Sequence, residues 1–378
     1  MPARPRVAIT MTQCWHRVPG GSATSILGLT DALAATDEVD LVGVLPRGDL
    51  RRPSSLLAGR LPPAPWTPRI PTAVLPLPLP VLYDAWARTG RPSIERATGP
   101  VDLVHVTVPV PLPRCTAPVV ATVHDVFPLT DPDLMTPRGA RLTRAGLEWA
   151  RRHARVVMVP SRTVEGECVE HGFDPARIRV VPWGAQVGVP DDDTVRRVLD
   201  RHGITPPYVL FAGTLEPRKN LPTLLRAITR LDRPDLTLVL AGPDGWGDSL
   251  EDDLSAVAGP VARLGLVPGD ELAALQRGAA AFCFPSLAEG FGLPVLEAMA
   301  AGAAVVTSSV SATAEVAGDG ALLVDPTDAD ALAAALASLL DDPAGAPDLR
   351  ARAIERASEL SWEEAARRTL EAYTEAWA

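Results

Sequence analysis

Short β-rich runs alternate with amphipathic helical runs along almost the whole chain, and this alternation restricts the fold more than any other feature. Strand, helix, strand in repetition is the pattern of a parallel sheet wrapped by helices. In the first half the expected strands are Arg6–Met11, Val39–Leu45, Asp102–Thr107, Val119–His124, Arg155–Pro160 and Ile178–Trp183, with helices in most of the gaps. Ten prolines in the 35 residues from Pro46 to Pro80 predict a stiff, irregular excursion there. The pattern restarts after the acidic linker Asp191–Asp193. Strand Tyr208–Gly213, helix Pro222–Leu231, strand Leu236–Gly242, a glycine-rich loop and a helix to Ala258 are followed by strand Ala262–Val267, helix Asp270–Gly278, strand Ala281–Pro285, helix Pro294–Ala301 and strand Ala303–Ser308. The tail from Ala346 to Ala378 reads as two helical segments, with Trp362, Ala366, Leu370, Tyr373 and Trp377 forming an apolar stripe. The expectation is two doubly wound α/β domains facing across a cleft. In such folds ligands bind beyond the carboxyl ends of the strands, so motifs at strand-to-helix turns matter most.

The length of 378 residues fits two domains at roughly 100–200 residues each. They are expected at 1–190 and 191–360, with 361–378 as a helix returning to the first. Hydrophobic residues at 47% against 22% charged exclude a disordered chain over most of the length. No apolar run approaches the ~20 residues of a membrane-spanning helix, and the opening MPARPRVAIT has no long apolar core, so a cytoplasmic location is expected. Cys14, Cys115, Cys168 and Cys283 lie far apart with no CxxC, which argues against a disulfide framework or a zinc site. The net charge of −10 divides unevenly: residues 1–190 carry 21 Arg against 16 acids, and 191–378 carry 15 basic against 30 acidic residues. An acidic balance disfavours nonspecific nucleic-acid binding. Of the 36 basic side chains 35 are arginine, a bias that a GC-rich coding genome explains, and the exception is Lys219.

That lysine sits in Gly213-Thr-Leu-Glu-Pro-Arg-Lys-Asn220, between a strand ending at Gly213 and a helix for which Asn220 is the expected cap. Arg218 and Lys219 are expected to project, exposed, from the carboxyl edge of the sheet, where two cations and a helix N-terminus suit a diphosphate. A solvated basic turn is the plainer alternative, and the Walker spacing GxxxxGK[ST] is absent. The second motif runs from Pro285 to Gly302, PSLAEGFGLPVLEAMAAG, and places Glu289 and Glu297 eight residues apart across Gly290-Phe291-Gly292. Pro294 suits the first helical position. Two carboxylates beside the free N–H groups of a helix start suit hydrogen bonds from sugar hydroxyls next to an anion.

Weaker signals accompany these. Pro19-Gly20-Gly21-Ser22, in the expected turn between the first strand and first helix, allows close backbone approach but is equally a structural turn. His124-Asp125 ends a strand and points at the same cleft, although local hydrogen bonds are the commoner use of such a histidine. Asp131-Pro-Asp133 has the form of a metal clamp but reads as a turn. No GxGxxG is present, which disfavours a nicotinamide-dependent dehydrogenase. The expected helix Arg138–Arg155 gathers Arg138, Arg141, Arg144, Arg151, Arg152 and Arg155 within about 140°, with Leu142, Leu147, Trp149 and Ala154 opposite. A solvated outer face is the simpler reading; contact with anionic lipid at the inner membrane face or with an acidic acceptor is the alternative.

Taken together the motifs resemble family-4 glycosyltransferases of the GT-B fold, over most of the chain. EGFGLPVLEAMAAG is similar to the E-x7-E signature, and GTLEPRKN, Glu315, Gly318 and Val324-Asp325-Pro326 extend the likeness; Gly20-Gly21, His124-Asp125 and Val159-Pro-Ser161 match more loosely. The resemblance implies that Arg218 and Lys219 grip a donor diphosphate, that Glu297 holds ribose hydroxyls, and that Glu289 with the backbone of Gly290, Phe291 and Gly292 holds the transferred hexose. Gly213 and Leu293 complete the donor-binding set. His124 is implied beside that sugar, and Gly20 and Gly21 beside the phosphates, with His124, Glu289, Arg218 and Lys219 as the catalytic residues. Many relatives carry Arg after the first glycine of the loop where this chain has Thr214, which concentrates the expected charge on Arg218 and Lys219.

The resemblance further implies a retaining hexosyltransferase that uses a sugar nucleotide, needs no metal or other cofactor, and acts on a hydroxyl of a glycan, glycolipid or small molecule. The form of GTLEPRKN leans towards GDP-mannose as donor. A sugar-nucleotide epimerase or hydrolase of the same fold, or a non-catalytic sugar-nucleotide-binding subunit, are the alternatives. The base and sugar of the donor, the acceptor and the oligomeric state stay open at this point.

Overall fold

The computed structural model describes residues 4–16, 19–48, 66–132, 135–185, 188–245, 250–341 and 346–378. The chain divides into two compact units, Met1–Gly184 with Trp362–Ala378, and Ala185–Ser361. Assigning the tail to the first unit leaves 23 basic and 20 acidic residues there, net +3, against 13 and 26 in the second, net −13.

The first unit is a seven-stranded sheet of β1 (Arg6–Thr10), β2 (Asp40–Leu45), β3 (Thr72–Val74), β4 (Leu103–Val106), β5 (Val119–Thr122), β6 (Val156–Val159) and β7 (Ile178–Val180), in the order β3-β2-β1-β4-β5-β6-β7. Every described pairing is parallel. Nearly continuous aliphatic runs such as Val7-Ala8-Ile9, with no exposed surface, are what a strand covered on both faces requires. The order turns back on itself between β1 and β4, the switch point of the sheet.

The second unit repeats the scheme with β8 (Tyr208–Ala212), β9 (Thr237–Ala241), β10 (Val261–Gly265), β11 (Ala281–Phe284), β12 (Val305–Ser308) and β13 (Leu322–Val324). The order is β10-β9-β8-β11-β12-β13, so its switch point falls between β8 and β11. GTLEPRKN follows β8 and PSLAEGFG follows β11, and the topology therefore sets the two motifs side by side.

The final helix, Trp362–Trp377, packs within the first unit. Tyr373 Oη lies 2.8 Å from His105 Nδ1 on β4, and His105 Nε2 lies 2.8 Å from Thr122 Oγ1 on β5. His105 is fully buried, and burial, with a smaller contribution from His124, pushes its pKa down to about 3, so the ring is a neutral link between helix and sheet. Trp362 stacks on Trp183 with centroids 6.3 Å apart and reaches the helix Gly20–Thr36 at Gly28, where a Cβ would lie 2.4 Å from the indole. The buried stripe is Trp362, Ala365, Ala366, Thr369, Ala372, Tyr373 and Ala376; Leu370 and Trp377, expected inside, are half-buried. Small residues take those places because the two helices approach closely.

Other expectations are corrected. The proline-rich segment is not irregular throughout, because Thr72–Val74 adds to the sheet edge beside β2; residues 49–65 lie outside the described ones. A 3-10 turn, Thr12–Trp15, follows β1, and Gly20-Gly21 opens the helix Gly20–Thr36 instead of forming the turn. β5 stops at Thr122, two residues before His124. The basic helix is Pro137–His153 and ends before Ala154 and Arg155, with Leu142 and Trp149 only half-buried. Several of its cations are tied down: Arg138 to Asp84 at 2.9 Å, Arg144 to the Pro128 carbonyl at 2.8 Å, and Arg151 and Arg152 to Glu148 at 2.8 and 2.5 Å. Among the described residues no helix is long and apolar enough to cross a membrane.

The Gly28 contact makes a prediction. Gly28→Ala forces a methyl into the Trp362 ring and should destabilise the first unit by about 1–3 kcal/mol, read as a lower urea midpoint by tryptophan fluorescence. An unchanged midpoint would contradict the close approach.

Candidate active site

β8 enters the site from a core in which Tyr208, Val209, Leu210 and Phe211 have no exposed surface. Beyond it the loop crosses Gly213 so closely to its neighbour that a Cβ on Gly242 would lie 2.0 Å from the Gly213 carbonyl oxygen. The loop tightens into a 3-10 turn, Pro217–Lys219, and reaches Asn220 at φ 57°. Asn220 holds the cap position of the helix Leu221–Leu231 without a side-chain cap hydrogen bond, contrary to expectation. Its Nδ2 donates instead to the carbonyls of Pro285 at 3.0 Å and Pro326 at 2.6 Å, while Oδ1 accepts from Thr223 Oγ1 at 2.8 Å. Asn220 thus ties the loop after β8 to the ends of β11 and β13. Leu287 N donates to the Arg218 carbonyl at 2.9 Å and completes the seam, with Ser286 Oγ 3.0 Å from the same oxygen.

This seam brings the charged residues together. Lys219 Nζ lies 2.6 Å from Glu289 Oε1, and Arg218 Nη1 lies 2.6 Å from Glu289 Oε2. Arg218 also pairs with Glu216 at 2.7 Å and donates to the Ala288 carbonyl at 2.8 Å. Ser286 Oγ donates to Glu289 Oε1 at 2.7 Å, and Lys219 Nζ sits 4.8 Å from the centre of the Phe284 ring. Lys219, expected to be exposed, is 8% exposed, because the turn folds back over the end of β11, where Glu289 is buried to the same degree.

Burial alone raises the Glu289 carboxyl, but Arg218, Lys219 and the Lys219 and Ser286 hydrogen bonds outweigh it and hold the pKa down to about 2. Lys219 is pulled below the usual lysine value by burial first and Arg218 second, against the pull of Glu289. The two directions differ in their implication for the pair, since the carboxylate faces two cations while the cations share one carboxylate. Three donors within 2.7 Å of Glu289 require it to be ionised. Buried ion networks of this kind seldom gain net stability over apolar packing, so their presence at the carboxyl ends of β8 and β11 points to chemistry.

The loop after β11 turns through Gly292 at φ 98°, where a Cβ would lie 2.7 Å from Thr313 Cγ2, and begins the helix Leu293–Ala300 with Pro294 at its second position. Phe291 and Leu293 are buried and anchor the turn, and Gly290 lies between it and Glu289. Glu297, on the second turn of the helix, has a half-buried carboxylate with no hydrogen bond or ion pair to any described residue. Burial raises its pKa to about 7.

The remaining expected residues belong to the first unit. Gly20, at φ 63°, and Gly21 begin a 17-residue helix, and a Cβ on either would meet nothing within 4 Å. His124 Nε2 lies 2.7 Å from the Thr107 carbonyl, and burial lowers the pKa of the ring to about 4. A carbonyl only accepts, so Nε2 carries the proton and Nδ1 is the acceptor. Asp133 lies outside the described residues, and among those described no group of three or more His, Cys, Asp or Glu could hold a metal ion.

The structure thus joins Arg218, Lys219 and Glu289 in direct contact and sets Gly213, Gly290, Phe291 and Gly292 on the same two loops at the second sheet's switch point, with Leu293 and Glu297 on the helix that follows. Ser286, Glu216 and Phe284, and the bridging role of Asn220, were not foreseen. The spacing Ser286-x-x-Glu289 has the form of a capping box, which marks a helix start; here no helix begins and the two side chains bond each other.

The chain matches the family described as Glycosyl transferases group 1 over residues 197–360 and Glycosyltransferase Family 4 over residues 19–189. It is 33% identical over 275 residues to an O-antigen chain mannosyltransferase B from Escherichia coli, covering 69% of this chain and 71% of that one. It is also 33% identical over 281 residues to an MMP alpha-(1->4)-mannosyltransferase from Mycolicibacterium hassiacum, covering 68% and 66%. Among solved structures, Anabaena HepE in complex with UDP-glucose aligns with a TM-score of 0.76 at 18% identity over 98% of this chain and 100% of that one. Sucrose-phosphate synthase from Thermosynechococcus elongatus gives 0.77 at 22% over 98% of each. At these identities the two structures establish the fold.

Glu297 makes a pH prediction. Its folded pKa of about 7 lies above the ordinary 4.5, so between these values the unfolded chain ionises while the folded one keeps its proton. Its contribution is neutral below pH 4.5, becomes destabilising as the pH rises, and reaches its full penalty above about 7. Glu297→Gln should remove this decline from the stability of the second unit between pH 4.5 and 7.5 in denaturant titrations; an unaltered pH slope would refute the raised pKa.

Proposed function

The chain belongs to the family-4, group 1 glycosyltransferases, and from that premise we propose that it transfers mannose from GDP-mannose, with retention of anomeric configuration, to a hydroxyl of a glycan acceptor. The observation that carries this reading is the contact of Arg218 and Lys219 with Glu289 at the switch point of the second sheet. Mannose is supported by the names of the Escherichia coli and Mycolicibacterium relatives, both mannosyltransferases.

The chemistry follows from the charges. Glu289 offers two oxygens, one to each cation, in the manner of a phosphate. An arriving diphosphate competes for the same donors and takes over Arg218 and Lys219, releasing Glu289 to accept hydrogen bonds from hexose hydroxyls. Glu297, with its acceptor oxygens unmatched within the described chain, suits the vicinal hydroxyls of ribose. As the bond from the anomeric carbon to the diphosphate oxygen breaks, negative charge gathers on the diphosphate and positive charge on the sugar. The acceptor oxygen then bonds to that carbon from the face the diphosphate leaves, and the hydroxyl proton passes to the departing diphosphate. Preorganised donors at such a charge are each worth ~2.7–4 kcal/mol, and in this proposal arginine and lysine supply the stabilisation without a metal or other cofactor.

Four outcomes are expected. GDP and GDP-mannose should raise the melting temperature more than UDP and its sugars do, and turnover should persist in excess chelator; selective stabilisation by UDP or a strict metal requirement would overturn those parts. Arg218→Ala should lower kcat by about 10²–10³-fold, and unchanged kinetics with every donor would sink the site assignment. Glu289→Gln should depress turnover while affinity for free GDP holds or rises; equal losses in both would contradict the exchange of partners.

A further inference from the structure

A cavity of about 730 Å³ opens in the first unit at the amino ends of β5 and β6, within the ~300–1,000 Å³ range of small-molecule sites. His124 follows β5 at the other end of that strand. The cavity is bounded by the segment that leads into β5 from Arg114, by the last turns of the helix Pro137–His153, and by Arg155 just before β6. None of these residues contributes to the charged network around Glu289.

The lining is cationic, with no carboxylate among the described residues that form it. Arg114 and Arg155 are exposed, and neither guanidinium has a hydrogen bond or ion pair to a described residue, unlike Arg138, Arg151 and Arg152 on the neighbouring helix. Their backbones are nonetheless fixed. Arg114 N donates to the Gly90 carbonyl and Arg155 N to the Val119 carbonyl, each at 2.8 Å, and the Arg114 stem lies so close to Gly90 that a Cβ there would come 2.8 Å from its Cγ. Trp149 is half-buried against the core, and the exposed His153 ring lies 5.2 Å from it between centroids. The negative charges nearby are accounted for. Glu95, outside the lining, accepts from Thr116 N at 2.6 Å and Thr116 Oγ1 at 3.0 Å. Burial first and Glu95 second push the Cys115 thiol up to about 12, so it adds no charge. Arg177 donates to the carbonyls of Ala154 and Arg151 at 3.0 and 2.7 Å and covers the negative end of the helix. Two forked donors without acceptors match a phosphate, which takes paired N–H···O bonds from a guanidinium, and an indole beside an imidazole offers a flat apolar surface to whatever the phosphate is attached to. The net charge of +3 on this unit favours the approach of an anion.

We propose that this cavity is a second anion site, separate from the Glu289 network, which binds a phosphate ester carrying a flat or apolar organic part. Arg114 and Arg155 hold the phosphate, and Trp149 with His153 receives the organic part. The site stands whether or not the chain transfers mannose, because no residue of the donor reading belongs to it.

The test titrates phenyl phosphate calorimetrically into the full chain. Arg114→Gln and Arg155→Gln should each weaken its binding about tenfold or more, and Trp149→Leu several-fold. Both arginines are exposed, so their variants should melt with the wild type, and lost binding then reports the site. Arg114→Lys keeps the charge and loses the fork; it should weaken binding several-fold, and it decides the matter if Arg114→Gln does not fold. A lipid headgroup offers the same phosphate chemistry, and co-sedimentation with phosphatidylglycerol vesicles separates the two sources. Arginine-dependent binding of phenyl phosphate assigns the site to a free ester, whereas arginine-dependent sedimentation with vesicles, without phenyl phosphate binding, assigns it to a headgroup. Failure of the wild type in both arms, or binding that neither Arg114→Gln nor Arg155→Gln weakens, would overturn the proposal; the latter is the result expected if the phosphate sits only on Arg218 and Lys219.

Discussion

A buried carboxylate held between two cations is the interaction on which the organisation of the second unit turns. Removing Glu289 and Lys219 from water costs several kcal/mol for each ion, and the cost is recovered only because Arg218, Lys219 and Ser286 all reach the same carboxylate within 2.7 Å. That convergence fixes the loop after β8 against the loop after β11. Two segments 70 residues apart in sequence therefore become one surface. The arrangement keeps the two cations already paired with an anion that has the same two-pronged form as a phosphate edge.

Topology makes such a convergence possible. Each sheet turns back on itself once, and at that point the loops on either side diverge to opposite faces and leave room beyond the strand ends. In the second unit the space receives charged side chains from both neighbouring loops, and in the first it is a cavity of mixed polarity bounded by Gln13, His124 and Asp125. The same backbone geometry thus carries two different chemistries. The charge balance follows the division: the unit that carries Arg218 and Lys219 is net −13, and within the network these two cations are matched by the carboxylates of Glu216 and Glu289.

Much of this could be read from the residues because doubly wound sheets impose strong local patterns. Most of the strands described were foreseen to within two residues, since a strand buried on both faces must be a short aliphatic run between turn signals. Thr72–Val74 escaped because its evidence is non-local: three residues among prolines become a strand only when β2 offers an edge. The E-x7-E spacing and GTLEPRKN pointed to two loops that the structure brings into contact. Burial of Lys219 did not show, because it depends on the loop folding onto Glu289, a contact over 70 positions that no local pattern encodes. Asn220 was misread for the same reason: asparagine before a helix is ordinarily a cap, and here the carbonyls of Pro285 and Pro326 claim its amide.

The lysine itself has a physical reason to remain one. In a chain whose other 35 cations are arginine, composition pulls every basic position towards guanidinium. Arginine has five donors in a rigid plane and must satisfy them when buried, whereas an ammonium is compact and has three. At position 219 one face of the cation meets Glu289 and another lies over Phe284, 4.8 Å from the ring centre, in a site 8% exposed. An arginine there would extend its fork towards Arg218, which already occupies the other carboxylate oxygen, and would leave donors buried without acceptors at about 1–3 kcal/mol each. Space and hydrogen-bond supply, rather than charge, therefore distinguish the two neighbouring cations: the broad fork of Arg218 spans Glu216, Glu289 and the Ala288 carbonyl, and the small head of Lys219 fits beneath it.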